Sequence, residues 1–221
     1  NNKIYNKYSD SLSKKDISLK IEEELDVCSI LQNSFKDFDG GYALAGMIGH
    51  GSSFVARDPN GIRPLYYYVN DEVIVATSER PPIKTAFGCE FDEIKELKRG
   101  NALIVDKVGN YKVEEFIEPK ENKACSFERI YFSRGNDPEI YNERKKLGKL
   151  LLSQVFEAIN NDLKNTIFSY IPNTSETCFY GMVDGIKDYL TAKKKEIFID
   201  KKSFDGNHEE LINLKTRIEK L

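Results

Sequence analysis

Apolar residues recur at spacings of two to four near the start of the chain, at Ile17, Leu19, Ile21, Leu25, Val27, Ile30, Leu31 and Phe35. The pattern predicts one amphipathic helix from Ile17 to Phe35, started by Asp16 and stopped by Asp39-Gly40-Gly41. A strand-like pattern follows. YALAGMI (42–48) is a continuous apolar run bounded by glycines, and SFVARD (53–58) follows it across the GHG turn, so the two form a hairpin. LYYYV (65–69) and EVIVATS (72–78) read as two more strands around Asn70-Asp71, and ERPPIKTAF (79–87) as a short loop or helix. Residues 93–116 read as a linker and then a hairpin turning at Gly109-Asn110. Residues 41–116 are therefore expected to form an antiparallel meander that needs a partner layer for its second face.

The second half changes character. EPKENKACS (118–126) is polar and linker-like, while FERIYFSR (127–134), with alternate apolar positions, reads as a strand. Residues 139–163 predict a long amphipathic helix, TIFSYIP (166–172) a buried strand, 173–197 a helix begun by capping residues, and 209–221 a further helix-like pattern. This strand–turn–helix order predicts α/β structure, unlike the meander before it.

Composition narrows the classes. A chain of 221 residues allows one large domain or two smaller ones, and 40% hydrophobic residues suffice for a core, which excludes wholesale disorder. Lys+Arg 33 against Asp+Glu 36 leaves no basic excess for general nucleic-acid binding. No apolar run approaches the roughly 20 residues that span a bilayer, and NNKIYNKYSD lacks a signal-peptide core. The chain begins with Asn1 rather than Met and ends within a helical pattern, so it is expected to be a piece of a longer protein. Cys28, Cys89, Cys125 and Cys178 form no CxxC pair and read as reduced thiols.

His50 and His208 both sit in turns or loops without a local partner, so no Ser-His-Asp system can be assembled, and no glycine-rich phosphate loop is present. The turn Arg57-Asp58-Pro59-Asn60-Gly61-Ile62-Arg63-Pro64 is more informative. Arg57 and Asp58 end a buried strand, where charges persist only when paired and hydrogen-bonded. The favoured reading is a rigid, salt-bridged connection that orients two strands, with direct substrate contact as the alternative.

GYALAGMIGHG, ARDPNGIRPLYYY and ATSERP resemble the second half of a class II glutamine amidotransferase domain of the N-terminal-nucleophile hydrolase type. ARDPNGIRPLYYY alone would also suit an asparagine synthetase-like enzyme, and a non-catalytic amidotransferase-like binding or regulatory module is the third reading. CSFERIYFSRGNDPEIYNERKKLGKLL (125–151) followed by FSYIPNTSE (168–176) is similar to the glutamine phosphoribosylpyrophosphate amidotransferases, or amidophosphoribosyltransferases. The wording YYYVNDEVIVATSERPPIKTAF looks most like their long form in Bacteroidetes-type bacteria.

This resemblance, over about residues 40–190, implies a mixed α+β and α/β fold. Residues 1–117 would be the distal half of a four-layer αββα N-terminal-nucleophile glutaminase domain. Residues 118–221 would be a linker and the N-terminal part of a type I phosphoribosyltransferase α/β domain. The implied activity has two halves. A Cys thiolate releases ammonia from glutamine, aided by an Asn-Gly oxyanion hole. The ammonia passes through a channel to Mg2+-bound phosphoribosyl pyrophosphate and gives 5-phosphoribosylamine, the first committed step of purine synthesis. The nucleophilic Cys is expected upstream, so no residue here is assigned as catalytic and the chain alone is expected to be inactive.

Phe127 and Tyr131 match positions that line the family's ammonia channel. Thr174 matches a strand-end hydroxyl assigned to Mg2+, with a helix N-cap as equally good chemistry. Arg57, Asp58, Arg63, Ser78 and Glu79 form the structural motif. Cys125 matches one ligand of an iron–sulfur cluster found in some members, but one thiolate cannot hold a centre that takes four, and no cluster is expected. The implied partners are glutamine and phosphoribosyl pyrophosphate, with no nucleic acid and no membrane, in a cytoplasmic homo-oligomer.

Overall fold

The computed structural model describes residues 2–199. His208 and the helix-like pattern at 209–221 lie outside the described residues. The chain divides into two compact units, Asn1–Glu128 and Arg129–Leu221.

The first unit opens with α1 (Asn2–Tyr8), α2 (Lys14–Glu24) and α3 (Val27–Phe35). The single helix expected over 17–35 is thus broken at Leu25-Asp26. Asp26 is extended, and its carboxylate accepts the Ser29 N–H at 3.2 Å and the Ser29 hydroxyl at 2.5 Å. A carboxylate that satisfies the first turn of a new helix competes with continuation of the old one. Ser13 rather than Asp16 caps α2, its hydroxyl accepting the Asp16 N–H at 3.3 Å.

Seven strands follow in two antiparallel sheets. β1 (Ala43–Met47), β2 (Ser53–Arg57), β6 (Asn101–Val105) and β7 (Tyr111–Glu115) form one, in the order β1-β2-β6-β7. β3 (Tyr66–Val69), β4 (Ile74–Thr77) and β5 (Lys95–Glu96) form the other, in the order β4-β3-β5. The expected hairpins are present, but they do not make one meander. β2 pairs with β6, setting Val55 opposite Leu103, and the intervening chain builds the second sheet.

Side-chain alternation then fixes the layers. Ala56, Ala102 and Ile104 face α3, packing with Val27, Leu31, Phe35 and Phe116. The opposite face, with Val55, Leu103 and Val105, meets Leu65, Tyr67, Ile74, Ala76 and Leu97. Tyr66, Tyr68 and Val75 turn outward to Ile83 of α4 (Arg80–Phe87). Within this unit the order is helix, sheet, sheet, helix. α4 carries prolines in its first turn, where no intrahelical donor is lost. It ends at Gly88, whose left-handed φ of 66° lets its N–H reach the Lys84 carbonyl.

The second unit is helical among its described residues. The expected strand at 127–134 is instead a π-turn at Glu128–Phe132, and the expected long helix is two, α5 (Pro138–Leu150) and α6 (Leu152–Ala158). Asp137 caps α5, accepting the Glu139 N–H at 2.9 Å, with Pro138 behind it. Asn160 and Asn161, at φ 50° and 59°, follow α6 in the left-handed region that Asn tolerates better than most residues.

α7 (Glu176–Ile199) packs closely against α5. Gly148 lies on the Cys178 carbonyl and Gly181 on the Lys145 carbonyl, so closely that a Cβ at either would collide with backbone. Lys145–Asp184 (2.5 Å) and Lys149–Asp188 (3.0 Å) flank the contact. Ile186 and Leu190 pack with Leu152, Phe156, Leu163 and Phe168. The buried strand expected at 166–172 is absent: these residues pair with no strand, and Ile167 and Ile171 are 93% and 83% exposed. All strand pairs among the described residues are antiparallel, so no parallel α/β sheet is formed by them.

Candidate functional site

The densest polar construction lies where β2 ends. Asp58 is fully buried. Its Oδ1 accepts the Asn60 and Ile62 N–H groups at 3.1 and 2.9 Å, and its Oδ2 accepts the Arg63 N–H at 3.0 Å. Its own N–H donates to the Tyr42 carbonyl at 2.9 Å, and its carbonyl accepts from Gly61 and Gly100 at 3.2 Å each. Gly61 holds φ +64°, the conformation that closes the turn and that a side chain would strain. Burial, and then the Asp58 charge, push the neighbouring Tyr42 phenol above its ordinary pKa.

Arg57 ties this turn to distant chain. Its Nε donates to the Arg63 carbonyl at 2.8 Å, and its Nη1 to the Leu97 carbonyl at 2.6 Å and to Glu96 at 2.7 Å. The polar segment after β7 docks on the same turn. The Lys120 and Lys123 N–H groups donate to the Pro59 and Asn60 carbonyls at 2.8 Å each, and Asn60 Nδ2 donates to the Glu121 carbonyl at 3.0 Å. Arg63 closes the set with an ion pair to the buried Glu128. Arg57, Asp58 and Arg63 are therefore joined in one network that pins three stretches of chain. Ser78 is exposed, and Glu79 stands at the start of α4, its carbonyl accepting the Thr77 hydroxyl.

Phe127 and Tyr131 are 64% and 63% exposed. The π-turn forms because Arg144, itself buried, draws in two carbonyls: Nε donates to Arg129 O at 3.1 Å and Nη2 to Ser133 O at 2.5 Å. Burial pulls this guanidinium below its ordinary pKa. Arg129 makes a bidentate pair with Glu143, both contacts at 2.6 Å. Sequence reasoning missed Arg144 and Asp137. Their signal was a charge set between the apolar positions Ile140 and Leu147, and an Asp directly before a proline.

Thr174 stands half-buried in the turn 172–175 ahead of α7, not at the end of a strand. It offers one hydroxyl, and no group of three or more His, Cys, Asp or Glu among the described residues could hold a metal ion. These residues do not by themselves fit a Mg2+ site. The four cysteines are free thiols. Burial pushes the Cys28 and Cys178 thiols up, with Glu114 adding to the effect at Cys28, which is the reverse of an activated thiolate.

The glutamine amidotransferase domain family matches residues 1–85, which include both β1–β2 and the Arg57-Asp58 turn. The more particular resemblance read from the sequence is borne out as well: the chain is related to the amidophosphoribosyltransferases. It is 28% identical over 201 residues to the amidophosphoribosyltransferase of Lachancea kluyveri, covering 85% of this chain and 39% of that protein. It is 29% identical over 163 residues to that of Bacillus subtilis, covering 70% of this chain and 31% of that protein. Among solved structures it is similar to the glutamine phosphoribosylpyrophosphate amidotransferase from B. subtilis complexed with ADP and GMP. There the TM-score is 0.58 and the identity 23%, over 84% of this chain and 41% of that one, a likeness of fold. The chain thus spans about 39% of the length of the first of these relatives. No helix among the described residues is long and apolar enough to cross a membrane.

Proposed function

We propose that this chain serves an amidophosphoribosyltransferase, which hydrolyses glutamine and passes the ammonia to phosphoribosyl pyrophosphate to give 5-phosphoribosylamine. The observation that carries the reading is the buried Arg57-Asp58-Arg63 network inside a helix-sheet-sheet-helix unit, in a chain whose curated relatives bear that name over most of its length. In this reading residues 1–117 belong to the glutaminase half and residues 118–221 lead into the phosphoribosyltransferase half. The network holds the two sheets in register and anchors the segment that leaves the first half.

Phe127 and Tyr131 each supply an exposed aromatic side chain that, when covered, excludes water from travelling ammonia. Mg2+ arrives with phosphoribosyl pyrophosphate as part of the substrate. The protein works in the cytoplasm as a homo-oligomer on small molecules. Cys28 and Cys178 do not act as the nucleophile, since burial moves both thiols away from thiolate.

Two assays test this. The 221 residues alone are expected to release no glutamate from glutamine above background. Expression of the whole reading frame that contains them is expected to give glutamate and pyrophosphate in equal amounts when both substrates are present. Glutamate release indifferent to phosphoribosyl pyrophosphate, with no pyrophosphate formed, would overturn the proposal.

A further inference from the structure

The turn that carries Asp58 also forms one wall of an open cavity of about 460 Å3, whose lining includes Arg57, Gly61, Glu96, Lys98, Arg99 and Glu115. Its volume falls within the range of small-molecule sites, roughly 300–1,000 Å3. The Arg57 side chain is 9% accessible. Its Nε and Nη1 are committed to Arg63, Leu97 and Glu96, but Nη2 makes no hydrogen bond with any described residue.

That edge of the guanidinium is uncovered because residue 61 is a glycine. A Cβ there would stand 3.5 Å from Nη2, 3.5 Å from Arg99 Cβ and 3.4 Å from Asn122 Oδ1. The charges leave a surplus. Glu96 is taken by Arg57 at 2.7 Å, and neither Lys98 nor Arg99 forms an ion pair with a described residue, so Glu115 alone opposes two free cations in the lining.

We propose that this cavity is a binding site for a small polar oxyanion, a phosphate ester or a carboxylate. Nη2, held in place by the committed Nε and Nη1, keeps two N–H donors for the oxygens of either group, and the low accessibility of Arg57 strengthens the contact. Arg99 and Lys98 complete the positive wall, and the remaining volume takes the uncharged body of the ligand. The inference rests on the cavity alone and holds whether or not the chain serves an amidotransferase.

Calorimetric titration of the full chain at low salt tests it, with inorganic phosphate, glycerol 3-phosphate and succinate as separate probes. Saturable binding of at least one probe is expected, weakened at least about tenfold in Arg99→Gln and also reduced in Lys98→Gln, both with unchanged thermal midpoints. Lys146→Gln, an exposed control outside the lining, is expected to bind like the parent. Phosphate compounds alone or succinate alone would identify the oxyanion. Absence of saturable binding by all three, or parental affinity in Arg99→Gln, would overturn the proposal.

Discussion

In the first unit a buried carboxylate, Asp58, gathers three amide hydrogens from the turn that follows it; in the second a buried guanidinium, Arg144, gathers two carbonyls from the turn that precedes its helix. Both solve the same problem, which is irregular backbone that must lie in a low-dielectric interior with its polar groups paired. The surroundings differ. Asp58 sits beside two sheets whose facing side chains alternate, so the turn fixes a relation already set by packing. Arg144 sits beside helices that approach through glycines, and much of the apolar surface around them is open, as at Leu150 (64% exposed) and Ile167 (93% exposed). The first unit is held by interdigitated layers with a polar lock, the second by one close helix contact.

The widest test of that contrast is Asp58→Ala. It leaves three amides without their acceptor, at about 1–3 kcal/mol for each buried donor left unmade, so a loss of roughly 3 kcal/mol or more is expected in urea denaturation. Asp58→Asn, which keeps one carbonyl oxygen, should fall between. Hydrogen exchange should accelerate through residues 43–116 while α5 and α7 keep their protection; equal acceleration in both units would break the distinction.

Gly148→Ala probes the second unit in the same way. The new methyl meets the backbone of Cys178 and Met182, which forces α5 and α7 apart at about 1–3 kcal/mol, within the usual range for overpacking. Here exchange should rise in α5 and α7 and stay unchanged in β2 and β6.

The smallest effect is expected at Asp26→Ala, which removes the α3 cap at about 1 kcal/mol. The Ser29 hydroxyl, then the Ser29 amide, hold the Asp26 carboxyl below the usual range. A folded pKa below the unfolded one means that this contribution is present above about pH 4 and fades as pH falls through the folded value. The difference in thermal midpoint between parent and Asp26→Ala, followed from pH 7 to pH 2.5, should therefore shrink only at the acid end.

Much of the first unit was readable beforehand because its signals are local. Alternation at Phe54, Val55 and Ala56 marks a strand with two covered faces, and Arg57-Asp58 at its end announces a paired, buried turn. The partition into two sheets was not readable, since it depends on Val55 meeting Leu103, a pairing that no nearby residue records. Asp26 followed by Ser29 is a capping pattern, yet the apolar spacing ran through it unbroken and concealed the joint. TIFSYIP has the composition of a buried strand, but a strand needs a neighbour, and none of the described residues provides one. Thr174 lost its strand-end position for the same reason. The exposure of Tyr131 follows from Arg144, whose reach back to Arg129 and Ser133 winds the segment into a turn.

The Arg57-Asp58 lock also dictates an order of assembly. Its local part, the three amides on Asp58, can close as soon as Arg63 has left the ribosome. The Arg57 contacts wait for Leu97, and the docking of the exit segment waits for Lys120 and Lys123. The hairpin of β1 and β2 is therefore made early, gains its inner cover as the chain to Leu97 emerges, and is locked only once Lys123 has followed. A pause or a nick between Arg63 and Leu97 should leave a nascent chain that chaperones retain, while one after Lys123 should release a settled first unit.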